Sequence, residues 1–305
     1  MLAYITHADC HLHDTGSLHP DQAERLSAID NQLITSGLEF VLRQYDADLV
    51  TREALERVHD ADYLDRVYAI DPSDGPVAID GDTVMSPGTL RAAERAAGAG
   101  VQAVDLVMAG AAHSAFCAIR PPGHHAERDK AMGFCLFDNI AVAAAHALEA
   151  HDLNRVVIVD FDVHHGNGTE DIFAAEPRVL FCSTFQHPFY PFTGHESDTA
   201  NLVDVPLSAG AGSAEFRAGV SEHWFPAIDA FRPEMVFISA GFDAHVADDM
   251  SHLSLTDPDY RWVTEELVKL AKTHANGRIV SMLEGGYEPA ALARSVVAHI
   301  DAMIG

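Results

Sequence analysis

Apolar runs of strand length recur along the chain, each bounded by Gly, Pro or charged residues, with stretches of helical pattern between them. Two runs are the most informative: Val156-Val-Ile-Val-Asp160 and Met235-Val-Phe-Ile-Ser-Ala240. Unbroken apolar runs of this length, without polar alternation, mark strands buried on both faces, as in a parallel sheet covered by helices. Strands are expected at 3–8, 115–119, 156–161, 179–185, 235–240 and 279–283. Helices are expected at 21–36, opened by His19-Pro20-Asp21, at 87–109 with Pro87 in the first turn, and at 139–150 with Asp138 as cap. Further helices are expected at 213–231, 257–275 and 289–303. No Pro/Gly/Ser-rich linker, low-complexity tract or repeat interrupts the alternation. The pattern predicts an α/β fold, a central parallel sheet flanked by helices on both faces, as a single domain over residues 1–305.

Ligands of such sheets gather just beyond the carboxyl ends of the strands, and there this chain carries its chemistry. The first run leads into Asp160-Phe-Asp162-Val-His164-His165-Gly166, the second into Gly241-Phe-Asp243. In an extended segment Asp162 and His164 point to the same side. Two carboxylates and an imidazole supply three ligands and leave positions open for water and substrate, the pattern of a catalytic metal rather than a structural one. A strand-end Asp or His alone is commonly just solvated. With Asp160 and His165 alongside, and a second strand ending in Asp243, the metal reading is the better one. A binuclear site would want another carboxylate two residues beyond each ligand, but Gly166 follows His164 and His245 follows Asp243. One metal is expected, and the ligand set suits zinc or ferrous iron.

Two more segments fit the same place. Arg120-Pro-Pro-Gly123-His124-His125 follows the apolar run 115–119, and its rigid turn would present two imidazoles for proton transfer. A chance His-His pair among 19 histidines is the competing explanation. Leu283-Glu-Gly285-Gly286-Tyr287 puts a phenol after another strand, where it could donate to a developing oxyanion.

Composition narrows the function further. With 19 Lys+Arg against 46 Asp+Glu the formal net charge is −27, which makes nucleic acid a poor partner. The acidity suits solubility or a salty cytoplasm; attraction for Lys-rich peptides or polyamines is the alternative. No apolar stretch reaches the roughly 18 residues of a membrane span, and Met1-Leu-Ala-Tyr-Ile-Thr reads as a first strand and not a signal peptide. Cys10, Cys117, Cys135 and Cys182 have no Cys-x-x-Cys spacing and are expected as buried free thiols. A cytoplasmic protein is expected, with neither nucleic acid nor membrane as partner.

Taken together and in this order, Pro-Gly-His124-His125, Asp160-x-Asp162-x-His164-His165-Gly-Asn167-Gly, Gly-Phe-Asp243 and Gly-Gly-Tyr287 resemble the zinc-dependent histone deacetylase family. Its relatives include the acetylpolyamine amidohydrolases and the bacterial deacetylase-like amidohydrolases. The resemblance runs from His13-Asp-Thr-Gly-Ser-Leu-His19-Pro20 to Tyr287, nearly the whole chain. Asn167 is similar to the class II branch, where class I members usually carry Asp. The resemblance implies an arginase-like α/β fold and removal of acetyl or other acyl groups from the ε-amine of lysine, in a protein, peptide or small acetylated amine. It implies that Asp162, His164 and Asp243 bind zinc, that His124 and His125 handle protons with Asp160 and Asn167 as their partners, and that Tyr287 polarises the carbonyl. Phe134 and Tyr190 would wall the substrate tunnel, with the Gly133 carbonyl near the scissile amide and Asp82 at the rim. Potassium is implied as well, held by Asp160 and Asp162 with main-chain oxygen near His164, Ser183 and Thr184.

Two positions depart from the family pattern. In Phe189-Tyr190-Pro191-Phe192-Thr193-Gly194, Phe192 replaces a usual Gly and is expected to narrow or reshape the tunnel mouth. Met250 stands where specialised polyamine deacetylases tend to place Glu, which speaks against a polyamine substrate. A small-amide deacetylase and a catalytically silent acyl-lysine binding module are the competing functions; acyl-chain preference and oligomeric state stay open.

Overall fold

A computed structural model describes residues 1–194 and 199–305. The chain runs β1 (Leu2–Thr6), α1 (Glu24–Ser36), β2 (Leu42–Asp46), α2 (Arg52–Glu56), α3 (Ala61–Tyr68), β3 (Val77–Ala78), β4 (Val84–Met85), α4 (Thr89–Met108), β5 (Ser114–Cys117) and α5 (Asn139–Ala150). It continues with β6 (Val156–Asp160), α6 (Asn167–Phe173), β7 (Val179–Gln186), β8 (Leu202–Leu207), α7 (Ser213–Gly219), α8 (Phe225–Phe231), β9 (Met235–Ala240), α9 (Asp257–His274), β10 (Ile279–Leu283) and α10 (Pro289–Ile304).

Eight strands form one sheet in the order β2-β1-β5-β10-β9-β6-β7-β8, and every pairing in it is parallel. The register aligns Val156 with Met235 and with Val179, so the apolar runs stack side by side. Val156–Val159, Met235–Ile238 and Ile279–Leu283 are buried, as strands covered on both faces must be. Helix α4 packs on α5, and α10 packs on both α1 and α9. The α/β architecture with a central parallel sheet flanked by helices is the one the hydrophobic pattern predicts. All four cysteines are free and buried. No helix among the described residues is long and apolar enough to cross a membrane.

The two strands of the main sheet that the sequence reading lacks share a physical origin; α2, α3, α6 and the β3-β4 pair are not expected from the sequence either. β2 (Leu42-Arg-Gln-Tyr-Asp46) and β8 are the two sheet edges. Edge strands are covered on one side only, so their apolar signal is diluted: β2 has no buried residue. Pro206 in β8 is tolerated because an edge strand need not donate on both sides. The helix expected at 213–231 is instead α7, a π-helical turn at Val220–Trp224, and α8. Pro226 supplies the reason: it has no N–H to donate and its ring crowds the preceding turn, which a wider turn relieves.

The approach of α4 to the chain leaving β2 is set by Gly98. A Cβ there would lie 2.1 Å from the Asp48 carbonyl oxygen and 2.7 Å from Val50 N, both backbone atoms. Gly98→Ala is therefore expected to destabilise the fold by about 1–3 kcal/mol, the usual cost of overpacking, read from the midpoint of urea unfolding. An unchanged midpoint would mean that residues 48–50 yield without cost.

Candidate active site

β5, β10, β9 and β6 are consecutive in the sheet, and each of the four chemistry-bearing segments leaves the carboxyl end of one of them. Four stretches separated by up to 163 positions in sequence, from His124 to Tyr287, thus meet at one edge. Asp162, His164 and Asp243 are buried, with donor atoms all within 4.8 Å of one another. His164 Nδ1 lies 3.1 Å from Asp162 Oδ1 and 3.2 Å from Asp243 Oδ2.

Backbone donors orient these carboxylates. Val163 N donates to Asp243 Oδ1 at 2.8 Å and Gly285 N donates to Asp162 Oδ2 at 2.8 Å. Gly285 must be glycine: a Cβ would sit 2.2 Å from Asp243 Oδ2 and 2.5 Å from Asp162 Oδ2. Asp243 Oδ2 is buried without a well-aligned donor. Burial and the Asp162 charge push the Asp243 carboxyl up to about 7. Burial pulls the His164 imidazole down, but its contacts with both carboxylates outweigh that and raise it to about 10. A buried cluster of two carboxylates and an imidazole that holds a proton this tightly, with Asp243 Oδ2 facing His164 at 3.2 Å but lacking a well-aligned donor, fits a divalent cation.

The two imidazoles beside it are bound differently. His124 Nδ1 donates to Asp160 Oδ2 at 2.8 Å. His125 Nδ1 lies 2.7 Å from Asn167 Oδ1. Asn167 Nδ2 in turn donates to Glu127 Oε1 at 2.7 Å, and since a carboxylate only accepts, the amide nitrogen must face Glu127 and the amide oxygen must face His125. His125 therefore carries its proton on Nδ1 and keeps a lone pair on Nε2. Burial lowers the His124 pKa, but the charges of Asp160 and Asp162 overcome this and hold it well above the ordinary value. Burial and the neighbouring His124 and His164 hold His125 well below it. The surroundings thus favour the cation on His124 and the neutral form on His125, at a centroid separation of 4.0 Å.

A cavity of about 180 Å³ opens onto this group, lined by Asp82, His125, Gly133, Phe134, His164, Phe189, Tyr190, Met250 and Tyr287. All five residues expected to contact substrate are among them. Phe189, which carries no signal of its own in the sequence, stacks on His164 with centroids 5.5 Å apart. Phe192 does not line the cavity; it is 70% exposed, so the expected narrowing of the mouth is not found. Its φ of 67° keeps the backbone in the left-handed region that glycine favours. Of the residues linked to potassium, Asp160 and Ser183 are register partners on β6 and β7, and Thr184 is buried next to them.

The sequence reading missed the support behind the site. Buried Asp21 Oδ1 accepts from Arg25 at 2.7 Å and from Arg120 at 2.7 Å. Arg25 Nε also donates to Gly286 O at 2.6 Å, a second guanidinium nitrogen reaches Glu284 O, and the guanidinium lies 4.9 Å from the centroid of the Tyr287 ring. Asp248 Oδ2 accepts from Tyr287 N at 2.6 Å and Glu288 N at 3.1 Å. Glu284 Oε2 accepts from Gly123 N at 2.7 Å and His124 N at 3.2 Å, tying the tyrosine segment to the histidine segment. The i, i+4 spacing of Asp21 and Arg25 was the one visible hint.

A profile of the histone deacetylase domain matches residues 19–303. The chain belongs to the histone deacetylase family. A histone deacetylase-like amidohydrolase of Pseudomonas aeruginosa is 35% identical over 94% of this chain and 77% of its own length. The human polyamine deacetylase HDAC10 is 36% identical over 93% of this chain and 44% of its own length. A crystal structure of the HDA15 HD domain superposes with a TM-score of 0.93 at 34% identity, covering all of this chain and 88% of that one.

Asp21 is the counter-charge for two buried guanidinium groups, so Asp21→Ala is expected to cost about 3–5 kcal/mol, the range for leaving buried charge unpaired. Guanidinium chloride unfolding measures it; a loss under 1 kcal/mol would mean that water neutralises both arginines.

Proposed function

We propose that residues 1–305 act as one catalytic domain, a zinc-dependent deacylase that hydrolyses the ε-N-acyl amide of lysine. The observation that carries this reading is a buried imidazole, His125, held at Nδ1 by the Asn167 amide oxygen and lining the same narrow cavity as His164 and the Tyr287 phenol. Zinc held by Asp162, His164 and Asp243 would supply a water of lowered pKa and a polarised acyl carbonyl. His125, lining the cavity, would take a proton at Nε2 from the attacking water and pass it to the departing lysine amine as the C–N bond breaks. His124, kept cationic by Asp160, assists through its charge. Burial, with the nearby Asp243 charge, keeps the Tyr287 phenol protonated, so it can donate to the oxyanion as the carbonyl becomes tetrahedral. Arg25 and Asp248 hold the tyrosine ring and backbone for that task.

Phe134 and Tyr190 would sheathe the aliphatic lysine stem, the Gly133 carbonyl would accept from the scissile N–H, and Asp82 would accept from the substrate backbone at the mouth. Met250 supports acyl-lysine over acetylpolyamine, because a thioether offers no charge to a substrate ammonium. The polyamine reading is favoured by Asp80 and Asp82 together near the mouth and by likeness to the human polyamine deacetylase. A structural potassium ion at Asp160, Asp162, His164, Ser183 and Thr184, and a cytoplasmic setting, belong to the same proposal.

Turnover of acetyl-lysine peptide, longer-chain acyl-lysine peptide and acetylputrescine by the zinc-loaded protein is the test. Tyr287→Phe is expected to lower kcat on peptide by about 10²–10³-fold, the usual cost of losing one oxyanion donor. Faster turnover of acetylputrescine would replace the lysine reading, and tight peptide binding with no acid released would leave only a binding module. Zinc entering the site must displace the proton on His164, so affinity should weaken about tenfold per pH unit as pH falls, more steeply below about 7 where Asp243 also protonates. Zinc titrations at pH 6 and pH 8 that give equal affinity would contradict that proton competition.

A further inference from the structure

One histidine-carboxylate group lies outside the catalytic cavity and has no part in the proposed reaction. Asp105, near the end of α4, faces His146 on α5 and His151 just beyond it. His146 Nε2 lies 2.8 Å and His151 Nε2 2.7 Å from the same Asp105 oxygen, Oδ1. The two rings are 5.4 Å apart at their centroids and nearly perpendicular, so both Nε2 atoms converge on one point from different directions. All three donor atoms fall within 4.8 Å of one another.

We propose that Asp105, His146 and His151 form a second metal site, for a divalent ion that prefers imidazole, such as Zn²⁺, Ni²⁺ or Cu²⁺, which ties the end of α4 to the end of α5. Two neutral imidazoles and one carboxylate are the donor set of such ions, not of Mg²⁺ or Ca²⁺. Zinc bonds of about 2.0–2.1 Å in a tetrahedron put donors about 3.3 Å apart. Both Nε2 atoms already aim at the place Asp105 Oδ1 holds, so an ion entering there would displace that oxygen, and the Asp105 side chain, 54% exposed, can turn to become the third ligand with water as the fourth. Because α4 and α5 pack directly on each other, the ligands are brought together before any ion binds. The strongly acidic chain adds a general attraction for cations.

Arg57 tunes the site. Its NH1 lies 2.9 Å from His146 Nδ1, and an arginine only donates, so that nitrogen holds a lone pair and the proton sits on Nε2. An ion on Nε2 moves the proton to Nδ1, facing the guanidinium, and Arg57 must turn to Glu53, already 3.3 Å away. Among the described residues a further group outside the cavity, buried His165 with Glu170 and Asp204, lacks this geometry. There the two acids face different ring nitrogens, Glu170 at Nε2 and Asp204 4.0 Å from Nδ1, which also faces Ser183 at 3.1 Å, so they do not converge on one lone pair.

The test counts metal in the enzyme after a chelating resin has removed loosely held ions, then titrates Zn²⁺ against a chromophoric chelator. The wild type is expected to take up one equivalent beyond the catalytic ion. His146→Ala/His151→Ala should take up none beyond it and keep its activity. Asp243→Ala should lose the catalytic equivalent and retain the other, which separates failure here from failure of the proposed reaction. Should the double variant fold poorly, His151→Gln alone should weaken the extra equivalent at least tenfold, and Arg57→Gln should tighten it about tenfold. Cu²⁺ at the site should show an electron paramagnetic resonance splitting from two nitrogens. No extra equivalent in the wild type, or an extra equivalent that survives loss of both histidines, overturns the site.

Discussion

Two carboxylates, Asp162 and Asp243, are buried within a few ångströms of each other at the ends of adjacent strands, and the surrounding structure answers that constraint. Like charges out of water are costly unless donors or cations face them. Backbone N–H groups of Val163 and Gly285 take one oxygen of each, and His164 faces both. Gly285 is confined to glycine by the same crowding. Gly285 belongs to the Tyr287 segment, so the carboxylate cluster also fixes the segment bearing the phenol. The proposed ligands and the proposed oxyanion donor are thereby assembled by one set of contacts.

That coupling extends outward through charge. Asp21 binds Arg25 and Arg120; Arg25 holds the carbonyls of Glu284 and Gly286, while Arg120 precedes the Pro-Pro-Gly turn. The Glu284 carboxylate, raised by burial to about 8, closes the loop onto Gly123 and His124. The histidine and tyrosine segments come from neighbouring strands β5 and β10, and this network keeps their loops in register beyond the last strand hydrogen bond. Such support stabilises a geometry that a flexible loop would reach only part of the time.

How legible this was in the sequence depends on burial. Strands in the middle of the sheet are apolar on both faces, so β6, β9 and β10 stand out, and the residues just after them identify the candidate site. The edge strands β2 and β8 lack a neighbouring strand on one side and are less buried, and so lack the signal. Among site residues, those next to an apolar run were found, whereas Asp21, Arg25 and Asp248 lie in loops or at a helix start and show their purpose only through long-range contacts. Phe192 does not narrow the cavity because its ring is exposed, a direction that sequence, which gives only the identity of a side chain, does not carry.

The His-His pair is where sequence and structure combine most usefully. Adjacent identical residues in similar burial would titrate alike; here one second partner is a carboxylate and the other an amide. Asp160 stabilises a charge on His124, whereas Asn167 can only orient His125, and Glu127 fixes which end of the amide does so. Were Asn167 an Asp, both rings would be drawn toward the cationic form and the free lone pair on His125 Nε2 would be harder to keep. The cationic neighbour then does double duty in the proposed reaction, since the same charge that depresses His125 also favours the anionic carbonyl oxygen as it develops. A base of low proton affinity costs driving force in the attack, and it is offset by ease of returning the proton to the leaving amine. That balance suits an amide, whose breakdown requires protonation of a poor leaving group.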